Sequence, residues 1–218
     1  LHCACVFRCG NVIRSRAMQS SDYLRALLMP ASVALVGASS KPGTIGRIVL
    51  ENMLGGAFRG ALYAVNPRHR RVLPQRSYAS LGAIGKPVEL ALIVVPAAAV
   101  LGVLEDGARI GIRVAVILSA PPSDPDEARH WQAKLLAVAA ARGIRLLGPH
   151  AFGVIRTDLG LNATLGNAVA HPGRLALVAQ SGAVCSAMLD FAASGGIGFS
   201  TVVALGGAMD IGFGELLD

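Results

Sequence analysis

The sequence predicts an α/β protein: a parallel sheet with helices wound on both of its faces. Three observations predict it. Short, near-continuous apolar runs recur along the chain, each is followed by a stretch of helical spacing, and the first run ends in a glycine-rich loop. Composition agrees. Of 218 residues, 53% are hydrophobic and 15% charged, which supplies a core and is too little charge for a disordered chain. Aromatics make up only 5%, while Ala, Val, Leu and Gly abound. Small aliphatic side chains suit strands that are covered on both sides.

The elements follow in order. Asp22 to Leu28 reads as a short amphipathic helix ended by Pro30. Ser32 to Gly37 is a buried strand running into glycine. Gly43 to Leu54 has helical apolar spacing at Ile45, Ile48, Val49 and Met53, and Gly55-Gly56 stops it. Ala61 to Val65 is a second strand, followed by Asn66-Pro67. Leu90 to Val95, Val114 to Leu118 and Ile144 to Leu147 are further strands. Helices over Ala97 to Arg109 and Asp124 to Arg142 separate them, the second with an Asp cap. Strands alternating with helices in this way give a Rossmann-like doubly wound parallel sheet. A second unit begins near residue 151. It shows strands over Arg174 to Ala179 and Phe199 to Leu205, with a helix over Ala183 to Ala193 between them. Two clear strands are too few to close a sheet, so this unit reads as cut short. The expected organisation is an extension over residues 1–21, a Rossmann-type domain over 22–150 and a partial domain over 151–218.

Several function classes are disfavoured. The formal charge is +7, but no basic run exceeds Arg70-Arg71 and no aromatic residues interleave with the basic ones. A site for one polyanionic small ligand fits that balance better than nucleic acid. No apolar run reaches the roughly 18 residues of a membrane span. Cys3, Cys5 and Cys9 crowd the N-terminus and Cys185 stands alone. That pattern lacks the second ligand cluster of a zinc site and the spread of a disulfide framework, so a cytoplasmic protein without a metal is expected. Residues 1–17 make a poor signal peptide, and Met18 is the expected natural start, with a real flexible extension as the alternative. Deleting them is expected to change stability by less than about 0.5 kcal/mol.

The chemistry concentrates in loops. Gly37-Ala-Ser-Ser-Lys-Pro-Gly43-Thr-Ile-Gly46 follows a strand and opens a helix, as a phosphate loop requires. Glycines let the backbone approach a pyrophosphate, helix N–H groups donate to it, and Ser39, Ser40 and Thr44 can add hydroxyls. A tight turn without a ligand is the plainer alternative. A dinucleotide site of the NAD type needs an acid at the end of the second strand. Here Asn66-Pro-Arg-His-Arg-Arg71 stands in its place. Arg68, Arg70 and Arg71 suit a ribose carrying an extra phosphate, the 2′-phosphate of NADP or the 3′-phosphate of CoA; a solvated basic turn is the alternative. Val95-Pro96 leaves a flat apolar edge for an adenine, or is simply a helix-starting proline. Gln180-Ser-Gly182 makes a second anion-binding helix N-terminus, or an ordinary Ser cap. His69, His130, His150 and His171 have no spacing that implies a metal site or catalytic pair, and Cys185 reads as a core thiol.

At these residues the sequence resembles the NDP-forming acyl-CoA synthetases, the superfamily of the succinyl-CoA synthetase alpha subunit and the ADP-forming acetyl-CoA synthetases. The resemblance rests on Val33 to Gly46, Tyr63 to Pro67, Leu92 to Pro96, Leu147 to Pro149 and Val178 to Gly182, in that order. It implies a CoA-binding Rossmann domain followed by the start of a flavodoxin-like α/β domain. It further implies that Gly37, Thr44 and Gly46 approach CoA phosphates and that Asn66, Pro67, Val95 and Pro96 lie beside the adenosine. Ser39, Lys41 and Arg68 complete the expected cofactor-binding set. Ser181 and Gly182 match the helix N-terminus that receives a phosphate from a phosphohistidine loop. Three departures stand out. Arg68 replaces the usual lysine and Gly148-Pro-His-Ala151 replaces Gly-Pro-Asn-Cys, and on this resemblance the phosphorylated His would lie beyond Asp218. A narrower resemblance, through Ile117 to Pro121, Gly160 to Ala163 and Phe199 to Asp218, is to Pat-type protein lysine acetyltransferases.

The expectation is therefore an N-terminal segment that binds CoA or acetyl-CoA in an NDP-forming acyl-CoA synthetase-like protein, as part of a Pat-type GNAT protein acetyltransferase, with no catalytic residue of its own. ATP or ADP would act only through regions absent from this chain. The partners implied are a downstream ATP-grasp region and, on the Pat-type reading, a GNAT domain; an oligomer is compatible with both. The competing expectations are the CoA-binding subunit of an active ADP-forming acetate–CoA ligase and, more weakly, an NADP-dependent reductase.

Overall fold

The computed structural model describes residues 22–166 and 169–217; the expectations for residues 1–21 lie outside them. Residues 22–28 form helix α1. There follow β1 (Ser32–Val36), α2 (Ile45–Gly55), β2 (Ala61–Val65), β3 (Arg71–Val72), β4 (Gln75–Tyr78), β5 (Leu90–Ile93), α3 (Ala97–Ala108), β6 (Val114–Ile117), α4 (Pro125–Arg142) and β7 (Arg145–Leu147). The strands make one seven-stranded sheet in the order β3-β4-β2-β1-β5-β6-β7. Every neighbouring pair is parallel except β3 and β4.

The apolar runs are strands because both faces of this sheet are covered. Val33, Leu35, Leu90, Leu92, Val114 and Val116 face one core, shared with Val49, Leu50 and Met53 of α2. Their alternate neighbours Ala34, Val36, Ala91, Ile93, Ala115 and Ile117 face the other, shared with Val100 and Leu104 of α3 and Leu135 and Ala139 of α4. Full burial of one such Leu or Ile contributes roughly 1.5–3 kcal/mol. Helix α4 carries the signals its sequence promised. Asp124 Oδ1 accepts from the Asp126 and Glu127 N–H groups at 2.9 Å each, and Gly143 closes the helix in the left-handed conformation.

The second unit has more strands than its apolar runs suggested. Strands β8 (Gly153–Arg156) and β9 (Leu161–Thr164) precede β10 (Pro172–Ala179), α5 (Gly182–Gly195), β11 (Phe199–Ala204) and α6 (Phe213–Leu217). They form a four-stranded sheet in the order β10-β11-β8-β9, in which β10 and β11 are parallel and the other pairs antiparallel. The expected two-strand remnant is thus corrected: the β8–β9 hairpin pairs with β11 and extends the sheet. Strand β10 lies at an edge and is exposed over its first half.

The two units share a core. Val154, Leu161, Ala163, Val203 and Leu205 join the cluster that contains Leu35 and Leu50. Asn52 of α2 donates to the carbonyls of Thr164 and Gly166 at 3.0 and 2.7 Å. Arg145 at the start of β7 pairs with Asp210 and Glu215 at 2.9 Å each. Burial opposes the charge on Arg145, but its hydrogen bonds to Asp210 and Glu215 outweigh this and hold its pKa above the ordinary arginine value.

Candidate functional site

The chain leaves β1 toward β2 on one side and later returns to β5 on the other, so the sheet reverses direction between β1 and β5. The crevice outside the carboxyl ends of such neighbouring strands is where open α/β sheets take ligands. The loops after β1, β2 and β5 meet there. Gly37 and Ala38 donate their N–H groups to the Val65 carbonyl at 3.0 and 3.2 Å. Asn66 Nδ2 donates to the Ala38 carbonyl at 2.8 Å. Gly37 has φ +97°, and a Cβ there would stand 2.9 Å from Val94 Cγ2, so the glycine loop lies directly against the Val94–Pro96 segment. The loops that carry Gly37, Ser39, Lys41, Thr44 and Gly46, then Asn66, Pro67 and Arg68, and then Val95 and Pro96 therefore gather at the carboxyl ends of β1, β2 and β5.

The helix that opens at this loop presents a bare positive end. Thr44 is the N-cap of α2, yet makes no side-chain cap bond, and the first turn holds no acid. Its hydroxyl donates instead to the Lys41 carbonyl at 2.8 Å. Helix α4, by contrast, has both an Asp cap and two acids in its first turn. The first N–H groups and the dipole of α2 are left available to an anion. Gly46 explains how close the approach is, since a Cβ there would meet the Gly37 carbonyl oxygen at 2.0 Å.

The hydroxyls are not all directed into the crevice. Ser39 Oγ accepts from the Lys41 N–H at 3.0 Å, and Ser40 Oγ accepts from the Leu73 N–H at 2.9 Å. Asn66 Oδ1 accepts from the N–H groups of Arg68 and His69 at 2.8 and 3.2 Å, which turns the chain sharply after β2. Arg68, Arg70 and Arg71 are exposed beyond this turn. The β3–β4 hairpin adds Arg76, which sits directly opposite Arg71. Sequence reading missed this hairpin, because no apolar run marks it. Pro96 is the N-cap of α3, one position before the first helical turn, and Ser119 Oγ donates to the Val95 carbonyl at 2.5 Å.

Ser181 and Gly182 belong to a separate cavity of about 760 Å³, lined also by Pro149, His150, Phe152 and Gly206. Ser181 is the N-cap of α5 and its Oγ accepts from the Val184 N–H at 3.4 Å; the first turn has no acid. The loop after β11 closes this cavity against the exit of β7, as Gly207 donates to the Pro149 carbonyl at 2.7 Å and Met209 to the Gly148 carbonyl at 3.1 Å. A groove of about 830 Å³ at the opposite ends of the strands is lined by Tyr23, Arg113, Arg145, Asp210 and Glu215. Its charges pair with one another, Arg113 with Asp22 and Arg145 with Asp210 and Glu215. It is a seam between the units. Among the described residues, no His, Cys, Asp and Glu cluster suits a metal, and no helix is long and apolar enough to cross a membrane.

Residues 31–157 match the CoA binding domain family, and residues 172–218 match the succinyl-CoA ligase like flavodoxin domain. The chain belongs to the CoA binding domain family. It is 37% identical over 84% of its length to acetate–CoA ligase [ADP-forming] I of Archaeoglobus fulgidus, covering 27% of that protein. It is 38% identical over 89% of its length to acetate–CoA ligase [ADP-forming] I subunit alpha of Pyrococcus furiosus, covering 43% of it. Among solved structures, the dinucleotide forming acetyl-coenzyme A synthetase 1 of Ca. Korarchaeum cryptofilum, in complex with phosphate and ADP, superposes with a TM-score of 0.85. That structure is 32% identical and the match covers 89% of this chain and 42% of that one. The chain thus spans less than half the length of these relatives. They are ligases, and the Pat-type acetyltransferase reading with its GNAT partner finds no support among them. The competing expectation, an ADP-forming acetate–CoA ligase, fits better.

Proposed function

We propose that this chain is the CoA-binding portion of an ADP-forming acyl-CoA ligase, with acetate as the leading candidate acid. The observation that carries the reading is the uncapped, acid-free N-terminus of α2, set behind a glycine loop at the point where the sheet reverses. Residues 22–150 form the CoA-binding unit. Gly37 and Gly46 bring the backbone up to the pyrophosphate, with Ser39, Lys41 and Thr44 around it. Asn66, Pro67, Val95 and Pro96 flank the adenosine, and Arg68 with its neighbouring arginines takes the ribose phosphate.

The remaining residues, 151–218, carry the second anion site. The thiol arm of CoA extends toward the cavity at Ser181 and Gly182, whose helix N-terminus suits a phosphoryl or carboxylate group. His150 and Ala151 border or underlie that cavity, so the acyl end meets an imidazole on the way in. The names of the relatives support ADP formation, and one relative is an alpha subunit, which supports a partner subunit or further domain. On this reading ATP and ADP bind there, in the cytoplasm, and the present chain supplies binding and orientation.

Calorimetry with CoA, dephospho-CoA, NADPH and NADH tests the reading. CoA is expected to bind more tightly than dephospho-CoA, and NADH poorly. Tight NADPH binding without CoA binding would overturn it in favour of a reductase. Purified chain is also expected to show no CoA-dependent nucleotide hydrolysis.

A further inference from the structure

The seven arginines Arg25, Arg47, Arg109, Arg113, Arg129, Arg145 and Arg156 each face a carboxylate. Among the described residues, no carboxylate pairs with Arg70, Arg71 or Arg76 around the β3–β4 hairpin. Arg71 and Arg76 are cross-strand partners. Like charges directly opposite each other on a two-stranded ribbon repel and weaken it. Their side-chain contacts are weak: Arg71 Nη2 to the Pro74 carbonyl at 3.4 Å, and the Arg76 guanidinium 5.1 Å from the Tyr78 ring centre. An anion held between them would convert that repulsion into two charge-assisted hydrogen bonds.

The hairpin is also fastened to the glycine loop in an unusual way. Its turn holds Leu73 at φ +53°, a left-handed conformation that a leucine rarely adopts. Such strain persists only where surrounding contacts impose it. One contact that does so is visible: the Leu73 N–H donates to Ser40 Oγ at 2.9 Å. Ser40 is fixed in turn, because Arg47 Nη1 donates to its carbonyl at 2.7 Å while Arg47 Nε holds Glu51 at 2.7 Å. A chain of hydrogen bonds thus runs from α2, through the glycine loop, to the tip of the arginine hairpin.

We infer that the β3–β4 hairpin reads the ribose phosphate of the ligand through Arg71 and Arg76, and that Ser40 is the positioning residue that holds this reader in register with the glycine loop. The inference rests on the CoA reading above and sharpens it. A ligand carrying both a pyrophosphate and a ribose phosphate must find both sites at a fixed separation, and the Ser40–Leu73 bond sets that separation. Ser40 itself need touch no ligand atom.

Two measurements on the 218-residue chain test it. The first is hydrogen exchange at the Leu73 amide without ligand. Ser40→Ala is expected to speed that exchange, and Ser40→Thr, which keeps the hydroxyl, to restore it; unchanged exchange in Ser40→Ala overturns the tether whatever the ligand proves to be. The second is the ratio of dephospho-CoA to CoA dissociation constants by calorimetry. Ser40→Ala is expected to lower the ratio about five-fold, the worth of one ordinary hydrogen bond, with rescue by Ser40→Thr. Arg71→Gln with Arg76→Gln is expected to lower it at least about ten-fold, as charged hydrogen bonds are stronger. Affinity for dephospho-CoA should hold in each variant, and each should still melt cooperatively. If the unaltered chain prefers CoA and the variants keep that preference, the hairpin inference alone falls. If the unaltered chain binds no CoA, the functional reading falls with it.

Discussion

A methyl group at Gly46 should disconnect the phosphate loop from its helix. A Cβ built on Gly46 stands 2.0 Å from the Gly37 carbonyl oxygen, 3.0 Å from its carbon and 3.3 Å from the Ser39 nitrogen. Ordinary contact begins near 3.4 Å, so the first turn of α2 must retreat by about 1.4 Å from the strand exit. The obstacle is backbone on both sides, and no flexible side chain can swing away. Overpacking of this kind costs typically 1–3 kcal/mol. A donor that had met a phosphate oxygen at about 2.9 Å would be left beyond 4 Å, outside hydrogen-bonding range. Gly46→Ala should therefore lower the melting temperature and weaken CoA binding by at least about ten-fold, and Gly46→Val should do more. Thermal melts and calorimetry on both variants make the comparison. If Gly46→Ala kept both the melting temperature and the affinity of the unaltered chain, the loop would not be a close-approach phosphate site.

Other expectations follow from single contacts. Asn52→Leu removes the donor to the Thr164 and Gly166 carbonyls and should cost about 1–3 kcal/mol in urea denaturation, with a smaller effect counting against the clamp. Asp210→Ala strips Arg145 of a partner and leaves the Leu146 N–H without its 2.7 Å acceptor; a loss of about 1–3 kcal/mol is expected. Burial pushes the Glu89 carboxyl up, but hydrogen bonds from Arg25 and the Ala31 N–H outweigh it and hold the pKa below the usual range. The Gly212 N–H lowers that of Glu215, against a smaller opposing effect of burial and with help from Arg145. Both groups thus add stability that is full above their ordinary pKa near 4.5 and lost as pH falls through the lowered values. Urea midpoints should drop in that window, and less so in Glu89→Gln. Burial raises the pKa of the Cys185 thiol, so peptide mapping should find it unalkylated in the native chain and alkylated once urea unfolds it.

Where the fold was legible, two-sided burial made it so. Strands β1, β5 and β6 are buried at every position, which writes them into the sequence as unbroken apolar runs. Helix α4 was legible through Asp124 and Gly143, which act locally. The β3–β4 and β8–β9 hairpins were not, because their strands are two to four residues long and are fixed by pairing with distant strands. The candidate crevice follows the same division. The glycine loop, Asn66-Pro67 and Val95-Pro96 each sit at the end of a readable strand, so parallel topology alone brings them together. Arg76, and the turning of Ser40 away from the crevice toward Leu73, depend on the hairpin and left no mark on periodicity.

Helix α2 is where these separate features become one device. Its amino end is bared to the glycine loop, while its side and carboxyl end are gripped by the second unit. Asn52 holds the carbonyls of Thr164, the last residue of β9, and of Gly166 just after it, and Gly56 and Gly160 pack so closely that a Cβ on either would lie within 2.3 Å of the other's carbonyl oxygen. The helix cannot shift toward an anion without pulling on the β8–β9 hairpin. That hairpin pairs with β11, whose exit loop closes the cavity at Ser181. Rigid packed elements of this sort transmit small displacements because their interfaces resist continuous deformation. On the CoA reading, a ligand at the glycine loop and a group at Ser181 would therefore act on one connected scaffold.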